Sequence, residues 1–164
     1  MQSAIRQVLA IVAILGLAVF PSAVQAATVV QVELWDRGAD VQMPTDLAYP
    51  ATDAAHANAI MGIKLSTDTA RAGIVSFQVT NTSKDTIHEM VVAKLAKPGE
   101  ALPYNSKDNV VFEDKIDYVG EVEETDPGKA GTFTKALAPG QYILICNIAG
   151  HYAAGMWTTF TVTK

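Results

Sequence analysis

The chain has 164 residues, of which 49% are hydrophobic and 18% charged, and its formal net charge is −5. This is the composition of an ordinary globular protein, and it excludes a disordered, collagen-like or low-complexity chain. A single cysteine excludes a disulfide scaffold and a cysteine-rich zinc module. The negative charge argues against nucleic-acid binding, which requires a basic surface. The length suits one folded domain.

The N-terminus has the pattern of a secretory signal peptide. Arg6 is the one charged residue among the first 26, residues 8–20 are all apolar or glycine, and Val24-Gln25-Ala26 offers a cleavage pattern. Thirteen apolar residues fall short of the ~20 that a helix needs to span a bilayer. We therefore predict a signal peptide over residues 1–26, cleavage after Ala26, export to the periplasm or the medium, and no stable membrane insertion of the domain at residues 27–164.

The exported domain is predicted to be all-β. Short segments rich in valine, threonine and aromatic residues alternate in polarity, and residues typical of turns separate them. This pattern predicts an antiparallel sandwich or barrel. Residues 36–60 form an irregular insertion with room for a short helix at residues 51–60, and residues 100–115 are predicted to be a loop or helical turn. The predicted strands cover residues 28–35, 74–80, 87–95, 118–123, 132–137, 141–146 and 157–163.

One loop between the last two predicted strands carries three side chains that bind soft metals. Cys146, His151 and Met156 follow one another in the spacing C-x₄-H-x₄-M, and a second imidazole, His88, lies in an earlier predicted strand. Thiolate and thioether favour Cu(I), whereas imidazole tolerates both copper oxidation states. A trigonal His₂Cys plane with a weak axial methionine is the blue-copper arrangement. The four residues therefore predict a copper site.

This loop resembles that of the cupredoxins, the type 1 blue copper proteins such as plastocyanin and azurin. The run at residues 137–146, together with Val79-Thr80-Asn81 and Ile87-His88, extends the resemblance over residues 73–164. The loop spacing is more similar to that of rusticyanin and sulfocyanin than to that of plastocyanin. The resemblance implies a Greek-key β-sandwich, one type 1 copper ion and one-electron transfer. It also implies the ligands His88, Cys146, His151 and Met156.

Residues around the ligands are expected to support them or to contact a partner. Many cupredoxins have asparagine or serine after the first ligand histidine, where this chain has Glu89, and Asn147 is a candidate to replace the missing hydrogen bonds. His151 is expected to be partly exposed inside an apolar docking rim. The acidic residues 113–126 would attract a basic partner. The candidate rim residues are Ile148, Tyr152, Ala153 and Ala154.

Two functions remain open at this point. The first is an exported, monomeric one-electron carrier that exchanges electrons with a c-type cytochrome or a terminal oxidoreductase and has no enzymatic activity of its own. The second is a copper-handling protein that buffers or sequesters copper. Only three histidines and five methionines occur, without metal-binding tracts, which favours the carrier. A Cys–His nucleophile pair and a zinc site are weaker alternatives, and His56 is expected to be a surface residue.

Overall fold

The computed structural model, which describes residues 26–164, contains two large β-sheets packed face to face. The predicted signal peptide, apart from Ala26, lies outside the described residues. From edge to edge, the first sheet consists of β2 (Met61–Leu65), β1 (Thr28–Asp36), β4 (Gly73–Asn81) and β9 (Ala130–Leu137). The second consists of β3 (Thr69–Arg71), β11 (Trp157–Thr163), β10 (Gly140–Ile145), β5 (His88–Lys94) and β8 (Asp117–Thr125).

The all-β sandwich is confirmed, with differences in detail. Strands β1 and β4 pair in parallel, as do β3 and β11, so the sheets are mixed rather than purely antiparallel. The segment predicted as a loop contains a small hairpin, β6 (Tyr104–Asn105) with β7 (Val110–Val111), and a 3₁₀ turn at Glu113–Lys115. The expected short helix is present as α1 (Asp53–His56). No helix among residues 26–164 is long and apolar enough to cross a membrane.

The sandwich core follows from the alternation of side chains along the strands. In β1, Val30, Val32 and Leu34 are at most 3% exposed, and the residues between them face outward. In β4, Val75 and Phe77 point into the same layer, where Phe77 packs edge-on against Phe160 of β11. Cys146 and Met156 belong to this inner core, so the sulfur donors lie inside the sandwich.

The central strands of the second sheet are buried on both faces. Residues 90–93 of β5 and 143–145 of β10 have no exposed surface, because irregular segments cover the outer face of this sheet. This outer layer forms a second apolar cluster that includes Tyr49, Val111 and Trp157. The irregular segments therefore form a packed layer of the fold and are not solvent-exposed loops.

The insertion at residues 36–60 packs directly on the loop that carries the predicted ligands. The backbone N–H of Leu47 donates to Ala153 O at 2.9 Å, and Trp157 Nε1 donates to Leu47 O at 2.7 Å. The His56 ring lies parallel to Trp157, with centroids 4.0 Å apart, and its Nε2 is 2.8 Å from Gly155 O. His56 is thus half-buried, and this residue, which was expected at the surface, also packs against the loop.

Substitution of Gly155 tests this packing. Gly155 has a φ of +98°, and an added Cβ would lie 2.7 Å from the Ala59 Cβ. Gly155→Ala should lower the free energy of unfolding in two ways: backbone strain in the left-handed region costs roughly 1–2 kcal/mol, and overpacking costs roughly 1–3 kcal/mol. Gly38→Ala is the matched control, because Gly38 has a φ of +101° but open space around it. Chemical denaturation should show the larger loss for Gly155→Ala, and equal losses would contradict the packing described.

Candidate metal centre

Three side chains of the predicted ligand set meet at one end of the sandwich. His88 is the first residue of β5, Cys146 directly follows β10, and His151 lies in the loop before β11. The Nδ1 atoms of the two histidines are 3.3 Å apart, and Cys146 Sγ is 3.3 Å from His151 Nδ1. The three donor atoms lie within 4.8 Å of one another, and all three residues are buried.

The separations fit donors around a single metal ion. Ligand bonds of about 2.0–2.3 Å, as in protein zinc sites, place neighbouring donor atoms roughly 3.3–3.8 Å apart. The two short distances at His151 lie at the lower end of that range. The arrangement therefore requires only small adjustments to hold an ion.

The protonation states also fit a soft cation. Burial lowers the pKa of His151 to about 4, helped by the adjacent His88 ring, and burial lowers the pKa of His88 as well. Both imidazoles are therefore neutral near pH 7 and have lone pairs to donate. Burial raises the pKa of the Cys146 thiol to about 12, so a cation is needed to stabilise its thiolate.

Met156 is placed next to these donors by the backbone of the loop. Its N–H donates to His151 O at 3.0 Å, and its carbonyl accepts the N–H of Cys146 at 3.0 Å. The side chain has no exposed surface. Gly150 and Gly155, with φ of +87° and +98°, allow the turns that fold the loop back on itself.

Glu89 and Asn147 connect the two segments that carry the donors. Glu89 Oε1 accepts the backbone N–H of Asn147 at 2.8 Å, and the N–H of Glu89 points to Cys146 Sγ at 3.5 Å. The Asn147 side chain accepts from Val111 N at 2.6 Å and donates to Glu113 Oε1 at 2.7 Å. The glutamate thus makes a cross-link between β5 and the loop in the position where many cupredoxins have asparagine or serine.

Asp36 is a functional neighbour that the sequence analysis missed. Its Oδ2 lies 2.9 Å from His88 Nε2, and its side chain is only 3% exposed. Hydrogen bonds from Thr86, Gly38 and His88 outweigh the effect of burial and lower the pKa of Asp36. The alternation of side chains along β1 could have identified Asp36, because this residue continues the inward-facing series of Val30, Val32 and Leu34.

The predicted docking rim is wrong for three of its four residues. Tyr152, Ala153 and Ala154 are at most 4% exposed, because the insertion covers them. The Tyr152 hydroxyl donates to Tyr49 O at 3.1 Å, and Ile148 is half-buried. His151 keeps only 6% of its surface exposed, so the accessible part of the ring is limited to a small edge beside a surface cavity.

A different apolar rim surrounds the exposed edge of His151. A surface cavity beside this residue is lined by Val41 and Met43 of the insertion, which are 37% and 42% exposed. A second surface cavity is lined entirely by acids: Glu89, Glu121, Glu123 and Glu124. Burial, together with the nearby charges of Glu113, Glu121 and Glu124, raises the pKa of Glu89 to about 7.

Comparisons with known proteins find chains of similar fold and a family match for the C-terminal segment. Residues 116–164 match the model of the sulfocyanin (SoxE) domain. Reduced rusticyanin is 20% identical with a TM-score of 0.52, over 85% of this chain and 82% of that chain. Rusticyanin from Thiobacillus ferrooxidans is 20% identical with a TM-score of 0.50, over 84% and 79%. Auracyanin B is 22% identical with a TM-score of 0.50, over 85% and 92%. No curated protein matches.

The fold is similar to that of the cupredoxins, the type 1 blue copper proteins, and the buried cluster of His88, Cys146 and His151 is of the kind that could hold a metal ion. The resemblance drawn from the sequence is confirmed. Within that class, the chain shares its fold with rusticyanin and auracyanin, and its C-terminal third matches sulfocyanin.

The depressed pKa of His151 predicts how the copper-free protein responds to acid. Because the imidazole of His151 takes up a proton near pH 6.5 in the unfolded chain and only near pH 4 in the folded one, its contribution to the free energy of unfolding should fall as the pH drops between these values. The raised pKa of Glu89 acts in the opposite direction, so the contribution of His151 is measured as the difference between the wild-type protein and His151→Gln in urea denaturation of the copper-free proteins at pH 7 and pH 5. Relative to the wild-type protein, His151→Gln should become more stable at pH 5 than it is at pH 7, and the same pH dependence in both proteins would contradict a buried, neutral His151.

Proposed function

We propose that the chain is an exported one-electron carrier that holds one copper ion through Nδ1 of His88 and His151, Sγ of Cys146 and the thioether of Met156. The observation that supports it best is a fully buried thiol 3.3 Å from a neutral imidazole nitrogen. Bound copper supplies a one-electron couple between Cu(I) and Cu(II), for which this mixed donor set is suited.

The residues around the donors favour electron transfer over substrate chemistry. The Glu89–Asn147 link, the His88–Asp36 contact and the packing of the insertion hold the donors from different sides. A site that is fixed in advance changes little when an electron arrives or leaves. Burial of all four predicted ligands also limits the access of water and substrates.

The exposed edge of His151 is the proposed entry and exit point for electrons. Its surroundings, Val41 and Met43, form an apolar contact surface from which water is easily displaced. The acidic residues 113–126 would speed the approach of a basic redox partner such as a c-type cytochrome. Export rests on the signal-peptide pattern of residues 1–26, and the carrier is proposed to act as a monomer.

Substitution of the sulfur donors tests the copper assignment. The copper(II) protein should be intensely blue, and Cys146→Ala should abolish the visible band. Met156→Leu should keep copper and raise the reduction potential, because it removes a weak donor that stabilises Cu(II). Met43→Leu is the matched control, since Met43 is 42% exposed. A Cys146→Ala protein with the native visible spectrum would refute the assignment.

A charge beside His151 tests the contact surface. Met43→Lys should slow electron exchange with a c-type cytochrome while leaving the visible spectrum intact, because a buried ammonium in the interface costs free energy. Val29→Lys is the control for the change in net charge, since Val29 is an exposed apolar residue of β1. Equal rates for both variants would place the docking surface elsewhere.

The same exchange assay separates the carrier from a copper-buffering protein. A carrier should exchange electrons with the cytochrome rapidly and reversibly, and a strain that lacks it should tolerate copper normally. A copper-sensitive deletion strain combined with negligible exchange would instead support copper sequestration.

A further inference from the structure

The carboxylate of Asp36 contacts the face of His88 that is turned away from the other donors. Asp36 Oδ2 is 2.9 Å from His88 Nε2, whereas His88 Nδ1 lies 3.3 Å from His151 Nδ1. The histidine side chain is fully buried and the aspartate side chain 3% exposed. One ring nitrogen thus faces an anion and the other faces the proposed metal.

The carboxylate is oriented by its own hydrogen bond. Asp36 Oδ1 accepts the backbone N–H of Gly38 at 2.8 Å, in a turn that the φ of +101° at Gly38 allows. This contact leaves Oδ2 directed at His88. Because an ionised carboxylate only accepts hydrogen bonds, the proton of the neutral imidazole must lie on Nε2. The lone pair of Nδ1 is then free for a metal.

We propose that Asp36 is a positioning residue of this site, which holds His88 as the Nε2–H tautomer and places a buried negative charge behind a copper ligand. The proposal rests on the proposed copper site. A hydrogen-bonded carboxylate raises the basicity of the ligating histidine. A negative charge favours the more positive Cu(II) state over Cu(I), and burial protects that charge from screening by salt. Asp36 therefore lowers the reduction potential.

Asp36→Asn removes the charge and keeps the shape, with an amide oxygen that can still accept a hydrogen bond. Asp85→Asn is the matched control, because Asp85 is an exposed acid that contacts the neighbouring backbone N–H of Ala39 at 3.3 Å. Affinities for Cu(II) and Cu(I) are measured by chelator competition, and the reduction potential by titration with a redox mediator.

Asp36→Asn should weaken Cu(II) binding about 10–100-fold and Cu(I) binding less. If the affinity for Cu(II) falls tenfold more than the affinity for Cu(I), the reduction potential of this one-electron couple rises by about 59 mV. Asp85→Asn should change the reduction potential much less than Asp36→Asn does. Because Asp85 is exposed, this smaller change should disappear at high salt. A potential in Asp36→Asn equal to that of the Asp85→Asn control would overturn the proposal.

A second measurement needs neither a variant nor copper. The ¹⁵N chemical shifts of the His88 ring in the wild-type, copper-free protein report which nitrogen carries the proton. The proposal requires Nε2–H, and a proton on Nδ1 would overturn it even if the chain binds copper normally. Conversely, a wild-type protein that shows Nε2–H but no blue copper form would refute the proposed function and leave the role of Asp36 toward His88 intact.

Discussion

The Cys146 thiol is buried at the end of β10, inside the apolar core between the two sheets. Water cannot stabilise its anion there, and its pKa rises to about 12. A thiolate can form at this position only beside a cation. The neighbouring imidazoles are neutral for the same reason, since burial disfavours their charged forms. Desolvation thus makes the cluster a set of metal donors and not a network of charged side chains.

The rest of the structure holds those donors from three directions. Strand β5 supplies His88 and, through Glu89, a hydrogen bond to the segment that follows Cys146. Strand β1 ends at Asp36, behind His88. The insertion covers the loop from outside, where His56 is stacked on Trp157. Because each support belongs to a different part of the chain, the site depends on the sandwich being assembled as a whole.

The site was more predictable from the sequence than its surroundings. The spacing of Cys146, His151 and Met156 in one loop indicated soft-metal chemistry directly, and alternating polarity located the main strands. Residues 36–60 have no such period, because their packing is set by contacts with Tyr152, Trp157 and the intervening loop. Their cover over the loop was therefore missed, and the docking rim was assigned to side chains that are buried.

Asp36 shows a different limit of sequence interpretation. It was counted as the start of the irregular insertion, although its position in the alternation of β1 is an inward one. A charged residue at an inward position requires a partner. Which partner it has depends on the spatial neighbourhood of β1 and β5, which do not pair with each other. Strand periodicity can identify such a residue, but not its contact with His88.

The most direct measurement is a crystal structure of the copper-loaded protein with anomalous diffraction recorded at the copper absorption edge. The account predicts one copper ion per chain, bound by Nδ1 of both histidines and by Cys146 Sγ, with Met156 Sδ at a longer distance. His88 Nε2 should remain hydrogen-bonded to Asp36. An ion bound through Nε2 of either histidine, or held by the carboxylates around Glu89 with Cys146 free, would contradict the account.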